Sequence, residues 1–172
     1  MNSSFANIFL AIQQHVQDQV PDIIYIDQEL GQLKNDSGLL RMPIQWPCLL
    51  LDFEDFTYEQ LATNAQTARG KVILRLGFAP FSNSSQSTPD AYRQKALEYY
   101  DIEWALHKAM QGWSPGDDFG MLSRISASTQ KRNDALRVRE LTYSIAFEDY
   151  STLIKGTLYT LPSQILPEVV HY

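Results

Sequence analysis

Carboxylates that lie close together in the sequence are the first candidates for chemistry. Asp52, Glu54 and Asp55 follow a short apolar run. If that strand continues, Asp52 and Glu54 point to one face, where their oxygens could hold a cation. Asp117 and Asp118 form a second acidic pair, inside a Pro-Gly turn. A solvated strand end and an ordinary turn are the simpler interpretations of these two groups. We therefore expect no metal and no other cofactor.

The histidines and the single cysteine add little further chemistry. A transition-metal site would need at least two of His15, His107 and His171 to converge with a carboxylate. Cys48 stands in an apolar run, where burial should raise its pKa and leave it inert. The sequence also has no Gly-rich phosphate loop, no His-Glu-x-x-His and no Cys-x-x-Cys pair. These patterns favour a protein that is not an enzyme.

A cluster of basic residues, which we call the basic ridge, contrasts with the net charge of -6. If copies meet head to tail, the ridge of one copy can face the acidic segment of the next, and such a contact closes into a ring when the rotation permits. Charge pairing across strands of the same chain is at least as good an interpretation. We expect no direct nucleic-acid binding, because the chain as a whole is acidic. The predicted interface comprises Arg124, Lys131, Arg132, Arg137 and Arg139 on the basic side and Asp52, Glu54 and Asp55 on the acidic side.

Length and composition bound the class of protein. With 172 residues, 44% hydrophobic and 20% charged, the chain is expected to form one folded domain over residues 1–150. It has no run of about 18 apolar residues, and its first stretch lacks the basic residues of a secretory signal, so we expect no membrane association. One cysteine cannot form an internal disulfide, which favours a reducing cytoplasm.

Hydrophobic patterning predicts the elements of the first half. Apolar residues at helical spacing predict a helix over Ser4–Val20, and β-branched residues after it predict a strand over Asp22–Ile26. The unbroken apolar run Cys48–Leu51 predicts a central strand covered on both faces. Alternation over Lys71–Phe78 predicts a further strand.

The second half reads as a long helix followed by a hairpin. Thr88 is the expected cap, Pro89 the expected first helical residue, and Gly112 the expected left-handed terminus after Gln111. Apolar and aromatic rows predict that this helix is packed on most sides. The hairpin strands are expected over residues 121–129 and 136–150, with a bulge or twist near Arg139 and Glu140, where the apolar parity changes.

These elements predict an α+β fold, with an antiparallel or mixed sheet of about four to five strands and two main helices packed on it. Residues 151–172 form an apolar arm that is too hydrophobic to stay solvated. The arm is expected to dock either on its own domain or on a neighbouring subunit, and the sequence leaves both options open. Its principal apolar residues are Leu153, Ile154, Leu158, Ile165 and Leu166.

The order of elements between about Phe5 and Tyr150 resembles the tail terminator (tail-completion, minor tail) proteins of long-tailed phages and prophages. An N-terminal helix and a strand lead to "QWPCLLLDF", "KVILRLGF", "PDAYRQKALEYYDIEWALHKAMQGW" and "LSRISASTQKRNDALRVRELTYSIAFEDY". The resemblance implies a non-enzymatic subunit that forms a homo-oligomeric ring, such as a hexamer, joining the tail tube to the head connector. Tail-tube and head-connector proteins would be its partners. It would be cytoplasmic during assembly and part of the virion of an active phage.

A small bacterial enzyme or ligand-binding domain is the main alternative. It would need a pocket between the long helix and the sheet, although aromatic residues at helical spacing are more often core than pocket. The pocket would be lined by some of Tyr92, Tyr99, Tyr100, Trp104, Trp46 and Trp113.

Overall fold

The computed structural model describes residues 3–33, 44–79, 84–132 and 136–152. They form one five-stranded sheet in the order β1-β2-β3-β5-β4, with β1 parallel to β2 and the other pairs antiparallel. This confirms the predicted α+β fold with a mixed sheet. The elements are α1 (Ser4–Gln19), β1 (Tyr25–Gln28), β2 (Cys48–Ala62), β3 (Ala65–Phe78), α2 (Asp90–Lys95), α3 (Glu98–Met110), β4 (Ser123–Gln130) and β5 (Arg137–Asp149).

The first helix matches its prediction, whereas the first strand begins later than expected. The Ser3 side chain caps α1, and Ile8, Ile12 and Val16 face the core from successive turns. β1 starts only at Tyr25, because the chain first turns back on itself through a hydrogen bond from the Ile23 amide to the Val20 carbonyl (3.0 Å).

The hairpin of β2 and β3 is much longer than the two strands predicted over Cys48–Leu51 and Lys71–Phe78. All of Cys48–Leu51 is buried as expected, but the strand continues through the acidic segment to Ala62, and β3 rather than β2 is the central strand. A bulge with Asp55 in the left-handed region (φ 55°) lets Phe53 and Phe56 both reach the helix side. The bulge adds one residue to β2. Side chains beyond it therefore point to the opposite face of the sheet from the one that the alternation before it predicts.

Two hydrophobic clusters cover the two faces of the sheet. The main core lies between α1, α3 and the helix-facing side of β2, β3 and β5. The smaller cluster, on the opposite face, consists of Leu33, Cys48, Leu50 and Val138. The second cluster explains the change of parity in β5.

The predicted bulge near Arg139 and Glu140 is therefore wrong. β5 pairs with β3 without interruption from Arg137 opposite Phe78 to Asp149 opposite Gln66. Val138 is apolar because it fills the second core, and no shift of register is needed to bury it. The irregularity of the hairpin lies instead in β4, between Arg124 and Ser126.

The long helix is divided into α2 and α3, and its predicted start and packing are both wrong. Pro89 occupies the cap position itself and no side chain caps α2, so Thr88 does not have the expected role. Gly112 is left-handed as predicted (φ 77°). Because α3 packs on the sheet along only one side, just three of its residues, Glu103, Leu106 and Met110, are buried.

The described helices include none that is long and apolar enough to cross a membrane. The arm residues Leu153, Ile154, Leu158, Ile165 and Leu166 lie outside the described residues, as does His171.

Candidate functional site

The structure disperses the basic ridge, and Arg139 forms a bidentate ion pair within the chain. Its Nε and Nη2 donate to the two carboxylate oxygens of Glu103 on α3, at 2.7 and 2.6 Å, and its Nη1 donates to Thr129 Oγ1 at 2.6 Å. Both side chains of the ion pair are largely buried, with 11% of Glu103 and 16% of Arg139 exposed. The hydrogen bond with Glu103 raises the pKa of Arg139. This bidentate pair fastens α3 to β5.

Arg137 also turns inward, toward the start of α3. Its guanidinium lies over the Tyr99 ring, 3.7 Å from the centroid, and its Nη2 donates to the Tyr100 hydroxyl at 3.3 Å. Burial raises the pKa of Tyr99 to about 12, whereas the hydrogen bond with Tyr99 lowers the pKa of Tyr100. Arg124 occupies the same side of the sheet, and its positive charge acts on Tyr143 and on a histidine of α3.

The acidic segment surrounds a different arginine, Arg75, on the face of the sheet opposite the helices. Its guanidinium lies 3.0 Å from Glu140, 3.5 Å from Glu29, 3.6 Å from Glu54 and 3.8 Å from Asp52. Burial opposes the charge of Arg75, but the hydrogen bond from Arg75 to Glu140 and the neighbouring carboxylates prevail and raise its pKa. As predicted, Asp52 and Glu54 point to one face of a continuing strand, and there the Arg75 guanidinium contacts both carboxylates.

Residues from both sides of the predicted interface meet in one groove of the same chain. The groove has a volume of about 590 Å³, and Asp52 and Arg75 line it together with Lys131 and Arg132. Asp55 has a partner of its own in Lys71, at 2.6 Å. Charge pairing within the chain therefore accounts for much of the acidic segment, and an intermolecular role for the ridge stays a prediction.

The described residues hold no cluster of three or more side chains suited to a metal. Asp117 and Asp118 lie in the turn that follows α3. Cys48 is fully buried, and burial raises the pKa of its thiol to about 12, as expected for an inert cysteine.

Gly112-Trp113-Ser114-Pro115-Gly116 has the spacing of a nucleophile elbow, which places a serine on a sharp turn between a strand and a helix. Here the segment follows a helix and leads toward a strand. Ser114 Oγ lies 2.7 Å from the Phe119 carbonyl and 2.8 Å from the Gly116 carbonyl, and no described histidine bonds to it. The serine therefore stabilises a turn, and the motif lacks the setting that would make it reactive.

The described aromatic residues of the predicted pocket lie in different parts of the structure. Trp113 stacks on His15, with 4.1 Å between the ring centroids, and Tyr99 packs against Phe78. Trp46 lies with the smaller core on the opposite face of the sheet. The geometry thus gives no support to the aromatic-pocket alternative.

His107 gives one of the few contacts that should depend on pH. Its Nδ1 shares a hydrogen bond with the Tyr143 hydroxyl at 3.1 Å. Burial lowers the pKa of His107, and the charge of Arg124 acts in the same direction, while Glu103 opposes them. The folded protein consequently takes up this proton less readily than the unfolded chain does.

We expect this histidine to reduce stability on acidification. As the pH falls below about 6.5, the unfolded state is protonated first, so the free energy of unfolding decreases until the lower folded-state pKa is passed. Denaturation of the wild type and of His107→Gln across this range measures the difference. The wild type should lose more stability than the variant below pH 6.5 or so, with a constant difference above it; parallel curves throughout would refute the assignment.

A row of exposed apolar residues, which we call the helical stripe, runs along the solvent side of α2 and α3. It consists of Tyr92, Leu97, Tyr100 and Trp104, of which Trp104 is 65% and Tyr92 61% exposed. Leu97, Tyr100 and Trp104 share one face because they are three and four residues apart. Sequence patterning suggested burial for these side chains, since apolar periodicity alone does not tell a core face from a docking face.

Comparisons with known proteins give distant structural likenesses to solved structures. No protein-family model and no curated protein matches this chain. It is similar to a chain from the solved structure "Virion of native gene transfer agent (GTA) particle", with a TM-score of 0.48 and 10% identity, over 87% of this chain and 100% of that one.

Proposed function

We propose that this protein is a structural subunit of a phage or prophage tail, which forms a ring at the end of the tail and joins the tail tube to the head connector. It acts through contacts with copies of itself and with those partners, without catalysis. The order of elements that resembles tail terminator proteins supports this proposal.

The helical stripe is the observation that carries the proposal. Leu97, Tyr100 and Trp104 are exposed on one face at the start and middle of α3, and exposed apolar side chains grouped in this way mark protein interaction surfaces. Tyrosine and tryptophan dominate the stripe, and these residues are enriched where interfaces derive most of their binding energy.

The apolar arm belongs to the same proposal. Residues 151–172 would bury their apolar side chains either on their own domain or on a neighbouring subunit, and in the second case they would add to the contact between copies. A ring with intertwined arms gains stability because each copy then holds its neighbour through two surfaces.

A deletion of the gene in the genome that encodes it tests the tail role. After induction, electron microscopy should show heads and tails that are assembled but not joined, and a plasmid copy of the gene should restore joined particles. Joined particles in normal numbers without the gene would contradict the proposal, as would a lysate that contains no tail structures even with the gene present.

A further inference from the structure

Three residues of the helical stripe form one apolar patch on α3, which we call the α3 patch. Leu97, Tyr100 and Trp104 are 39%, 49% and 65% exposed, and they are three and four residues apart. The Tyr100 amide donates to the Leu97 carbonyl at 2.9 Å, so these two residues lie in one helical turn and Trp104 follows one turn later. The patch is about 10 Å long along the helix axis. It lies on a different side of α3 from Leu106 and Met110, which face the core.

The apolar arm has the composition of a segment that needs an apolar surface to bind. From residue 153 to residue 172 it contains eight leucine, isoleucine and valine residues and only two charged ones, Lys155 and Glu168. Four of the eight stand close together within Ile165–Val170, which we call the docking segment. Its five steps span about 8 Å in a helix and about 16 Å in an extended chain, two lengths that bracket the length of the α3 patch.

The arm begins at the end of the sheet that is far from the α3 patch. Thr152 Oγ1 donates to the Asn64 carbonyl at 2.9 Å, beside the turn between β2 and β3. The patch lies at the other end, because the Tyr100 hydroxyl accepts a hydrogen bond from Arg137, which pairs with Phe78 at the end of β3. The 14 residues of β3 connect these two ends and span about 43 Å.

The arm is therefore badly placed to cover the α3 patch of its own chain. Ile165 stands 13 residues after Thr152 (165 − 152), and 13 residues span at most about 45 Å when they are fully extended. An unconstrained chain of this length has a root-mean-square end-to-end distance of only about 20 Å. Docking within one chain would require almost complete extension, and the loss of conformational entropy opposes it. The patch of a second copy can lie close to the point where the arm begins.

We propose that the docking segment of one copy binds the α3 patch of a second copy. This inference rests on the proposed function and names the surfaces through which copies meet. Because every copy supplies one arm and one patch, each copy that binds a neighbour keeps the other surface available for a further one. Repetition of this heterologous contact produces a ring where the rotation closes.

Mixing two variants tests the contact by sedimentation velocity. Trp104→Glu removes the patch and Leu166→Asp removes the docking segment, and each change should weaken self-association by roughly thirtyfold or more. At a concentration where the wild type assembles, each variant alone should therefore sediment as a monomer. Mixed together, they should form a complex of one copy of each that grows no further. The arm of the first variant still fits the patch of the second, whereas the reverse contact is lost.

Two substitutions that add the same charges outside the contact serve as controls. Ile24→Glu changes an exposed apolar residue between α1 and β1, and Thr157→Asp changes a polar residue of the arm before the docking segment. Both control variants should assemble as the wild type does. Circular dichroism and the denaturation midpoint check that every variant is folded.

Several outcomes of the mixing experiment would overturn the inference. If Leu166→Asp assembles like the wild type while Trp104→Glu does not, the patch binds a surface other than the arm. If both variants assemble like the wild type, other surfaces join the copies, and the proposed function stands without this contact. If neither assembles and the mixture gains nothing, the arm and the patch of different copies do not bind each other. A wild type that stays monomeric at every concentration would remove the proposed ring together with this contact.

A cross-linking experiment decides the question should Trp104→Glu fail to fold. Replacing Leu166 with the photoreactive amino acid benzoylphenylalanine changes only the arm, and ultraviolet light should join it to the α3 peptide that contains Tyr100 and Trp104. When ¹⁵N-labelled and unlabelled chains are mixed before assembly, mass spectrometry should find joined peptides with one labelled and one unlabelled partner. Joined peptides that always share one isotope would show that the arm covers its own chain. Cross-links to other peptides alone would equally contradict the proposed contact.

Discussion

Replacing Arg139 with methionine should lower the free energy of unfolding by about 3–5 kcal/mol. The methionine fills most of the space of the arginine stem, but it leaves the Glu103 carboxylate buried without its two charged donors. A buried charge that loses its partner is among the most destabilising changes a side chain can cause. Urea denaturation at neutral pH measures the loss.

Two controls separate the buried charge from the loss of packing. Adding Glu103→Leu should recover most of the stability, because an apolar pair of similar volume no longer buries a charge. Arg93→Met breaks the exposed pair with Asp90 and should cost less than about 1 kcal/mol. A similar loss in Arg139→Met and Arg93→Met, or no recovery in the double variant, would show that the pair does not fasten α3 to the sheet.

Gly70→Ala should destabilise the protein by about 1–3 kcal/mol, although alanine suits a strand better than glycine does. A Cβ at this position would lie 2.7 Å from Cδ1 of Phe56 and closer still to its Cγ, well inside van der Waals contact. The Phe56 ring cannot easily move away, because it packs edge-on against Phe5 and also contacts Phe147. The ring centroids are 4.8 Å apart in the first pair and 5.9 Å apart in the second. Thermal or urea denaturation reports the effect.

Gly116→Ala is the matched control for this position. Its added Cβ would be 3.5 Å from the nearest atom of Phe119, an ordinary contact, so the stability should change by less than about 0.5 kcal/mol. If both glycines tolerate alanine equally, the Phe56 ring is free to shift and the bulge at Asp55 does not hold it in place.

Patterning predicted the elements whose apolar residues face one core. α1, the buried start of β2 and the second hairpin were found in this way, because burial on one side leaves a clear period of 3.6 or 2 in the sequence. Patterning gave a wrong prediction for β5, because each face of this strand packs against a different hydrophobic cluster. Val138 and Leu141 are both buried but on opposite faces of β5, so an unbroken strand looked like a bulged one.

The residues of the candidate site could be predicted from the sequence, but the contacts that they make could not. Arg137 and Arg139 were identified as a charged group, yet their partners Tyr99 and Glu103 lie in a helix far away in the sequence. Only the register of β5 and the placement of α3 bring them together. Patterning also predicts burial for the helical stripe, which is exposed, since apolar spacing marks a face of a helix without saying whether the core of the same chain covers it.

Sedimentation velocity of the wild type, across a wide range of concentrations, measures whether copies of this protein associate. We expect monomers to give way to one discrete closed assembly, because heterologous contacts stop adding copies once the ring is complete. A monomer that persists at every concentration would contradict the claim that this protein works by joining copies of itself.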